Sequence, residues 1–150
     1  NSKNLTSEFS ITKPRKFLIE SAGEGVPTDS LMSDLGWIEN NKGNIIWTSE
    51  IARENYHLGG AIKNRVKTGV IELKPGSYKL RYKSDDSHSY GSWNADAPHD
   101  SSFWGIRIFE LEENEANEIR EFIKTSLVMH CQNEQFIEDI LGEGAQSIKI

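Results

Sequence analysis

The sequence predicts a mainly β protein, an antiparallel β-sandwich that carries a helical appendage at its C-terminus. Short segments alternate apolar and polar residues with a period of two, and turns rich in glycine, proline and asparagine separate them. After residue 111 the apolar spacing changes to the three- and four-residue interval of a helix. We therefore expect a sandwich domain over residues 9–111, with a helical tail and a final strand over residues 112–150 packed on the same domain.

Composition limits the class of protein. The chain has 150 residues, which fits one domain, and its formal net charge of -6 gives no electrostatic footprint for nucleic acid. No stretch approaches the roughly 18 consecutive apolar residues of a membrane span. The single cysteine, Cys131, excludes an intramolecular disulfide and a cysteine-built zinc site. We expect no nucleic-acid partner, no membrane-spanning segment and no cofactor.

The N-terminal segments have distinct patterns. Residues 1–8 are polar and are expected to be a loose segment. Residues 9–14 alternate until Pro14 interrupts them, which suits an edge strand. Residues 17–19 predict a short apolar strand, and residues 23–30 predict a turn-rich loop.

A hairpin and a short helical turn are predicted next. Leu35–Ile38 and Ile45–Thr48 are strand segments, and the asparagine- and glycine-rich residues 39–44 connect them. Residues 51–56 predict a short helical turn that Gly59 and Gly60 end.

The central segment, residues 70–109, predicts three strands that bury one shared face. Pro75-Gly76 has the composition of a type II turn, which would make the flanking segments a hairpin. The segment after the turn alternates three apolar residues with three cations, which are Tyr78, Leu80 and Tyr82 against Lys79, Arg81 and Lys83. Residues 103–109 supply the third strand.

The tail is predicted to be helical and then extended. Helix-forming residues with an apolar stripe extend over 112–129, a second short helix is expected over 130–141, and residues 147–150 predict a strand. We expect the tail to cover a sheet edge or one end of the sandwich. The alternative is a connector that docks a following domain or a second copy.

Five stretches carry a resemblance, and they are the segment Leu73–Tyr82, the loop Asp85–Asn94, the segment Trp104–Phe109, the element His57–Ala61 followed by Lys63-Asn64, and Gly36–Glu39. Together they resemble GOLD-like β-sandwich modules of the bacterial type. The resemblance implies a jelly-roll or GOLD-like sandwich and a non-catalytic accessory or sensory domain of a larger or envelope-associated bacterial protein. It favours a periplasmic or cell-envelope location. It does not assign a compartment or an oligomeric state.

The candidate site is the loop Ser84–Asn94 together with the neighbouring residues 57–64. Aromatic and hydrogen-bonding groups are concentrated there, as in sites that bind a protein partner or a small ligand such as a glycan. The candidate binding residues are His57, Lys63, Asn64, Asp85, Asp86, His88, Tyr90, Trp93 and Asn94. The alternative is structural: short polar side chains bond to the backbone of the loop, and Trp93 packs the loop onto the sandwich.

The two interpretations predict different behaviour for the same variants. If the loop binds a ligand, His88→Ala or Trp93→Ala should remove binding and leave the thermal transition nearly unchanged. If the loop is structural, both variants should unfold. A carbohydrate-binding module is the first alternative function, because Trp93 is the tryptophan available to stack on a sugar ring. A fully buried Trp93 would count against both kinds of binding.

A small hydrolase or a metal-binding protein is the second alternative. The central loop contains serine, histidine and aspartate, but the chain has no Gly-x-Ser-x-Gly elbow, and adjacent side chains such as Ser87 and His88 point apart on an extended segment. Metal-ligating residue types occur in the loop region, but none stands at a diagnostic spacing. The sequence therefore predicts no catalytic residues and no metal site.

Overall fold

The computed structural model describes residues 2–125 and 147–149. Two antiparallel sheets face each other and one helix follows them, which confirms the predicted β-sandwich with a helical appendage. The strands are β1 (Lys3–Ile11), β2 (Arg15–Glu24), β3 (Leu35–Asn40), β4 (Ile45–Thr48), β5 (Tyr56–His57), β6 (Asn64–Leu73), β7 (Gly76–Ser84), β8 (Gly105–Leu111) and β9 (Ser147–Lys149). A 3₁₀ turn, Ala52–Glu54, precedes β5, and the helix α1 (Glu113–Thr125) follows β8.

The core lies between the two sheets. The first sheet has the strand order β1-β7-β3-β4, and the second has the order β5-β6-β2-β8-β9. Alternate residues of each strand point inward, and the fully buried aliphatic side chains between the sheets include Ile19, Ile38, Leu80, Ile106 and Ile108. Such a sandwich buries apolar surface from both sheets in one layer.

The first strand begins earlier than the sequence predicted. β1 begins at Lys3, so the expectation of a loose segment over residues 1–8 is wrong. It pairs with β7 along its length, from Lys3 opposite Ser84 to Ile11 opposite Gly76. β1 forms an edge of the first sheet, as predicted for residues 9–14. The outward side chains of β1 are polar and its inward face is only partly apolar, so the sequence gives only a weak strand signal there.

The predicted central hairpin is wrong. β6 belongs to the second sheet and pairs with β2 and β5, whereas β7 belongs to the first sheet and pairs with β1 and β3. Gly76 has a φ of 159°, which is extended, so the backbone does not adopt the φ near +80° that a type II turn needs. The connection at Pro75 therefore crosses between sheets. The alternation in β7 is as predicted, with Tyr78, Leu80 and Tyr82 all buried.

The hairpin of β3 and β4 is confirmed. The carboxamide oxygen of Asn40 accepts the backbone N–H groups of Lys42 (2.9 Å) and Asn44 (3.0 Å), and Gly43 has a φ of 79°. The side chain of Asn40 therefore closes the connection, and Gly43 supplies its left-handed residue. The helical turn predicted over residues 51–56 is the 3₁₀ turn Ala52–Glu54.

The helix packs on the second sheet, and the last strand extends that sheet. Ala116 and Ile119 of α1 are buried against Leu18 of β2 and Leu111 of β8, so the helix packs on the outer face of that sheet. β9 extends the sheet by pairing with β8, with Ile148 opposite Ile108. The helix and the strand predicted in the tail are thus present in the described residues. The second helix expected over 130–141 lies outside them.

The helix is expected to contribute measurably to stability. Ile119→Ala should lower the free energy of unfolding by about 2 kcal/mol, because it removes buried methyl groups from a small cluster that can partly collapse around the gap. Urea titration of the two proteins measures the difference. Asn117→Ala is the matched control, since Asn117 is exposed on the same helix and should change stability little. Equal stability of wild type and Ile119→Ala would contradict this packing.

Candidate functional site

The two ends of the sandwich differ. Three long connections, residues 25–34, 49–63 and 85–104, meet at one end, which we call the loop end. Three short connections, residues 12–14, 41–44 and 74–75, lie at the opposite end, which we call the turn end. Both segments that the sequence predicted as a site lie at the loop end. Long connections at one end of a rigid scaffold are a common location for binding residues.

His88 lies at the centre of the loop end and has 0% exposure. Its Nδ1 lies 2.8 Å from Oδ1 of Asn94, and its Nε2 lies 2.7 Å from Oδ1 of Asn64. The Asn64 amide donates to the backbone oxygens of Gly59 (2.8 Å) and Asp96 (2.9 Å), which fixes the direction of its oxygen toward His88. His88 therefore joins two of the long connections in one set of hydrogen bonds.

A largely buried ion pair continues this set of bonds. The Lys63 ammonium donates to Oε1 of Glu24 at 2.9 Å and to Oδ1 of Asn94 at 2.5 Å. The other Glu24 oxygen accepts a hydrogen bond from the Ser87 hydroxyl at 2.9 Å. The charges of Lys63 and Glu24 therefore neutralise each other inside the loop end, and neither is free for a ligand of the opposite sign.

Asp34 provides a third link and is also 0% exposed. Its Oδ1 accepts the backbone N–H of Asp85 (2.9 Å), and its Oδ2 accepts the indole N–H of Trp104 (3.0 Å). Burial raises the pKa of Asp34 to about 6, and the charges of Asp85 and Glu24 add to this rise. Asp34 is not among the predicted site residues, because a single aspartate outside any motif has no pattern that separates it from its neighbours.

Aromatic rings pack beneath the polar contacts. The ring centroids of Trp93 and Trp104 lie 5.0 Å apart at 78°, and His88 lies 4.9 Å from Trp93 and 5.5 Å from Trp104. The two contacts of Trp104 are edge-on, an arrangement that is favourable for aromatic pairs, and the His88–Trp93 pair is tilted at 56°. Trp104 is buried, as predicted, whereas Trp93 is half-buried. The condition that would have counted against binding, a fully buried Trp93, is therefore not met.

Gly59 and Gly60 permit the close approach of residues 95–100. Their φ values are 84° and 65°, in the left-handed region. A Cβ on Gly60 would lie 1.9 Å from the carbonyl oxygen of Ala97, and a Cβ on Gly59 would lie 2.4 Å from the ring of His99. Both positions therefore require glycine, and the pair holds two of the long connections together.

The structure divides the predicted site residues into two groups. Those that make hydrogen bonds or ring contacts within the loop end are His57, Lys63, Asn64, Asp85, His88, Trp93 and Asn94. Those that are exposed without such contacts are Asp86 and Tyr90, and Tyr90 is 61% exposed. Leu31 and Ile62 are exposed too, at 52% and 62%, and were not predicted, because single apolar residues in loops carry no sequence signal.

Among the described residues of the loop end, Ser87 and His88 do not form a hydrogen-bonded nucleophile–base pair. The Ser87 hydroxyl bonds to Glu24 and Asp85, while both ring nitrogens of His88 face asparagine oxygens. Among residues 2–125 and 147–149, no group of three or more histidine, cysteine or acidic side chains could hold a metal ion. In the same residues, no helix has the length and hydropathy needed to cross a membrane.

No protein-family model, no curated protein and no solved structure matches the chain. A functional proposal for this chain therefore depends on the geometry, burial and charges of the loop end.

Proposed function

We propose that this chain is a non-catalytic interaction module that binds a protein partner at the loop end. The observation that carries the proposal is that buried polar contacts fix the three long connections, while Leu31, Ile62 and Tyr90 remain exposed on them. Large apolar side chains on fixed loops are a common feature of protein recognition. The resemblance to GOLD-like modules supports the same role, in an accessory or sensory domain of a larger or envelope-associated bacterial protein.

The fixed geometry favours binding. Loops that are already ordered lose little conformational entropy when a partner arrives, so more of the contact energy contributes to affinity. The bonds of His88, Lys63 and Asp34 supply that order from beneath the surface. In this interpretation, the buried members of the predicted site position the exposed ones and do not themselves contact the partner.

A carbohydrate ligand is the second candidate, and the exposure of Tyr90 is the observation that favours it. Tyr90 lies in a tight turn closed by the backbone bonds between Ser89 and Ser92, and its side chain is 61% exposed. An exposed aromatic ring can stack on a sugar face, whereas the Trp93 ring already contacts His88 and Trp104. Glycan-array binding that Tyr90→Ala abolishes would favour this candidate over a protein partner.

Site-specific crosslinking tests the proposal. A photoreactive benzoylphenylalanine at position 90 is expected to capture a discrete protein in the source cells, and the same group at position 41 of the turn end is expected to capture none. Both positions are exposed, so neither replacement should shift the melting temperature. An adduct at both positions, or at neither, would contradict a binding surface at the loop end.

A further inference from the structure

The long connections of the loop end carry exposed carboxylates as well as exposed apolar side chains. Asp29, Asp86 and Asp96 are exposed, and none of them forms an ion pair with any residue that the structure describes. Among the cations of the same end, Lys63 pairs with Glu24, Arg65 is 8% exposed, and the exposed Arg53 is outnumbered by the three aspartates. The surface that a partner meets is therefore apolar and negatively charged.

The three short connections of the turn end carry positive charge. Lys13, Lys42 and Lys74 lie one in each of these connections, all three are exposed, and the three connections contain no acidic residue. A positively charged partner is therefore attracted to the loop end. An anionic surface, such as a nucleic acid or an acidic membrane, is repelled from it.

Backbone contacts hold the carboxylates beside the apolar side chains. The carbonyl oxygen of Asp96 accepts the N–H of Ala61 (3.1 Å) and the Asn64 amide (2.9 Å), which keeps Asp96 next to the segment that carries Ile62. The Lys63 bond to Asn94 ties that segment to the loop that carries Tyr90 and Asp86. The bridge between Leu31 and Ile51 joins the connection that carries Asp29 to the same arrangement. Charge and apolar surface thus lie on connections that are fixed to one another, which is the requirement for recognising a segment that has both features.

We propose that the occupant of the loop end is a cationic protein segment that combines lysine or arginine with aliphatic side chains. The aliphatic groups would pack on Ile62, Leu31 and Tyr90, and the cations would pair with the carboxylates of Asp29, Asp86 and Asp96. This inference rests on the proposed function and adds the chemistry of the partner. The carboxylates provide long-range attraction and the choice of partner sign, and the apolar contacts provide most of the affinity.

Three short fluorescein-labelled peptides test the inference by anisotropy titration of the whole chain. One contains lysine and leucine, one contains glutamate and leucine, and one contains lysine and serine. The lysine–leucine peptide is expected to bind at least about tenfold more tightly than either of the others, and its affinity should fall as salt is raised through the physiological range. Equal binding of the three peptides, or binding that salt does not change, would overturn the inference.

Matched variants separate local charge from net charge. The triple variant Asp29→Asn, Asp86→Asn, Asp96→Asn should weaken the lysine–leucine peptide about tenfold. The control Glu72→Gln, Glu112→Gln, Glu118→Gln changes the net charge equally, at exposed positions away from the loop end, and should leave the affinity unchanged. Equal weakening by both triple variants would show non-specific attraction and overturn the inference.

Two further results bear on the identity of the partner. Sedimentation of the protein alone should show a monomer over the concentrations used, and a dimer that the triple aspartate variant abolishes would overturn the inference in favour of a second copy. An adduct from position 90 without any preference for the lysine–leucine peptide would leave the proposed function standing and remove this inference. No adduct from position 90 would remove the proposed function itself.

Discussion

Replacing His88 with alanine is expected to lower the free energy of unfolding by about 4 kcal/mol. The fully buried ring bonds to Asn64 and Asn94, and its loss leaves both asparagine side chains without that partner. It also opens a gap between Trp93 and Trp104, whose rings His88 contacts. Guanidinium titration of wild type and variant measures the loss, and a thermal transition that stays in place would contradict the structural role of His88.

Two further variants separate the contributions. His88→Phe keeps a ring of similar size against Trp93 and Trp104 but donates no hydrogen bond, so it should retain part of the packing and lose about 2–3 kcal/mol. His99→Ala removes an exposed histidine from the same region and should cost less than about 1 kcal/mol. If His99→Ala lowers the free energy of unfolding as much as His88→Ala does, the effect expected for His88 is not due to its burial.

This expectation replaces the one that the sequence suggested for His88. A binding role for His88 required the variant to lose its ligand and keep its thermal transition, but a side chain with 0% exposure offers no surface to a ligand. Loss of binding by His88→Ala would therefore show that the loop had changed its conformation, and not that His88 contacts the ligand. Tyr90→Ala is the informative binding variant, because its side chain is 61% exposed and its removal should leave stability within about 0.5 kcal/mol of wild type.

The sequence predicted the parts of the fold that local pairing determines. The hairpin of β3 and β4 depends on Asn40 at the end of β3 and on Gly43 in the connection, so the sequence signal lies where the chain turns. The connection at Pro75 has an equally strong turn composition, but it joins strands of different sheets. Alternation specifies which face of a strand is buried, and it does not specify the neighbouring strand, because a sandwich buries apolar faces from both sheets.

The two segments predicted as the candidate site lie together at the loop end, but the sequence did not separate the roles of their residues. Density of polar groups identified residues 57–64 and 84–94, which do meet at the loop end. The same residue types serve both as buried links and as exposed contacts, so composition could not separate His88 from Tyr90. The contribution of Asp34 depends on burial against Trp104 and on the N–H of Asp85, both of which are distant in sequence.

Asp34 is expected to make the stability of the loop end depend on pH. Burial favours the neutral carboxyl group and raises its pKa from 3.8 to about 6, so the folded protein binds this proton more tightly than the unfolded chain does. The stabilisation is complete below pH 3.8 and is lost as the pH rises through 6. The difference between the two values corresponds to about 3 kcal/mol.

A comparison with Asp34→Asn isolates this contribution. Asparagine has nearly the same shape and does not ionise, so the wild-type advantage in unfolding free energy should shrink by about 2.5 kcal/mol between pH 4 and pH 8. Urea titrations at intermediate pH values should place the midpoint of the change at about 5, midway between 3.8 and 6. Asp86→Asn is the control, because the exposed Asp86 should give a difference that varies little over the same range.

The change of the wild-type advantage with pH shows whether burial or hydrogen bonding dominates the environment of Asp34. If the hydrogen bonds from Asp85 and Trp104 outweighed burial, they would stabilise the carboxylate, and the wild-type advantage would grow with pH. If burial dominates, the advantage falls as the pH rises, because the folded protein favours the neutral carboxyl group. A growing advantage would mean that hydrogen bonding or solvation of the carboxylate outweighs burial, which would weaken the case that buried contacts hold Ile62 and Tyr90 in a fixed arrangement.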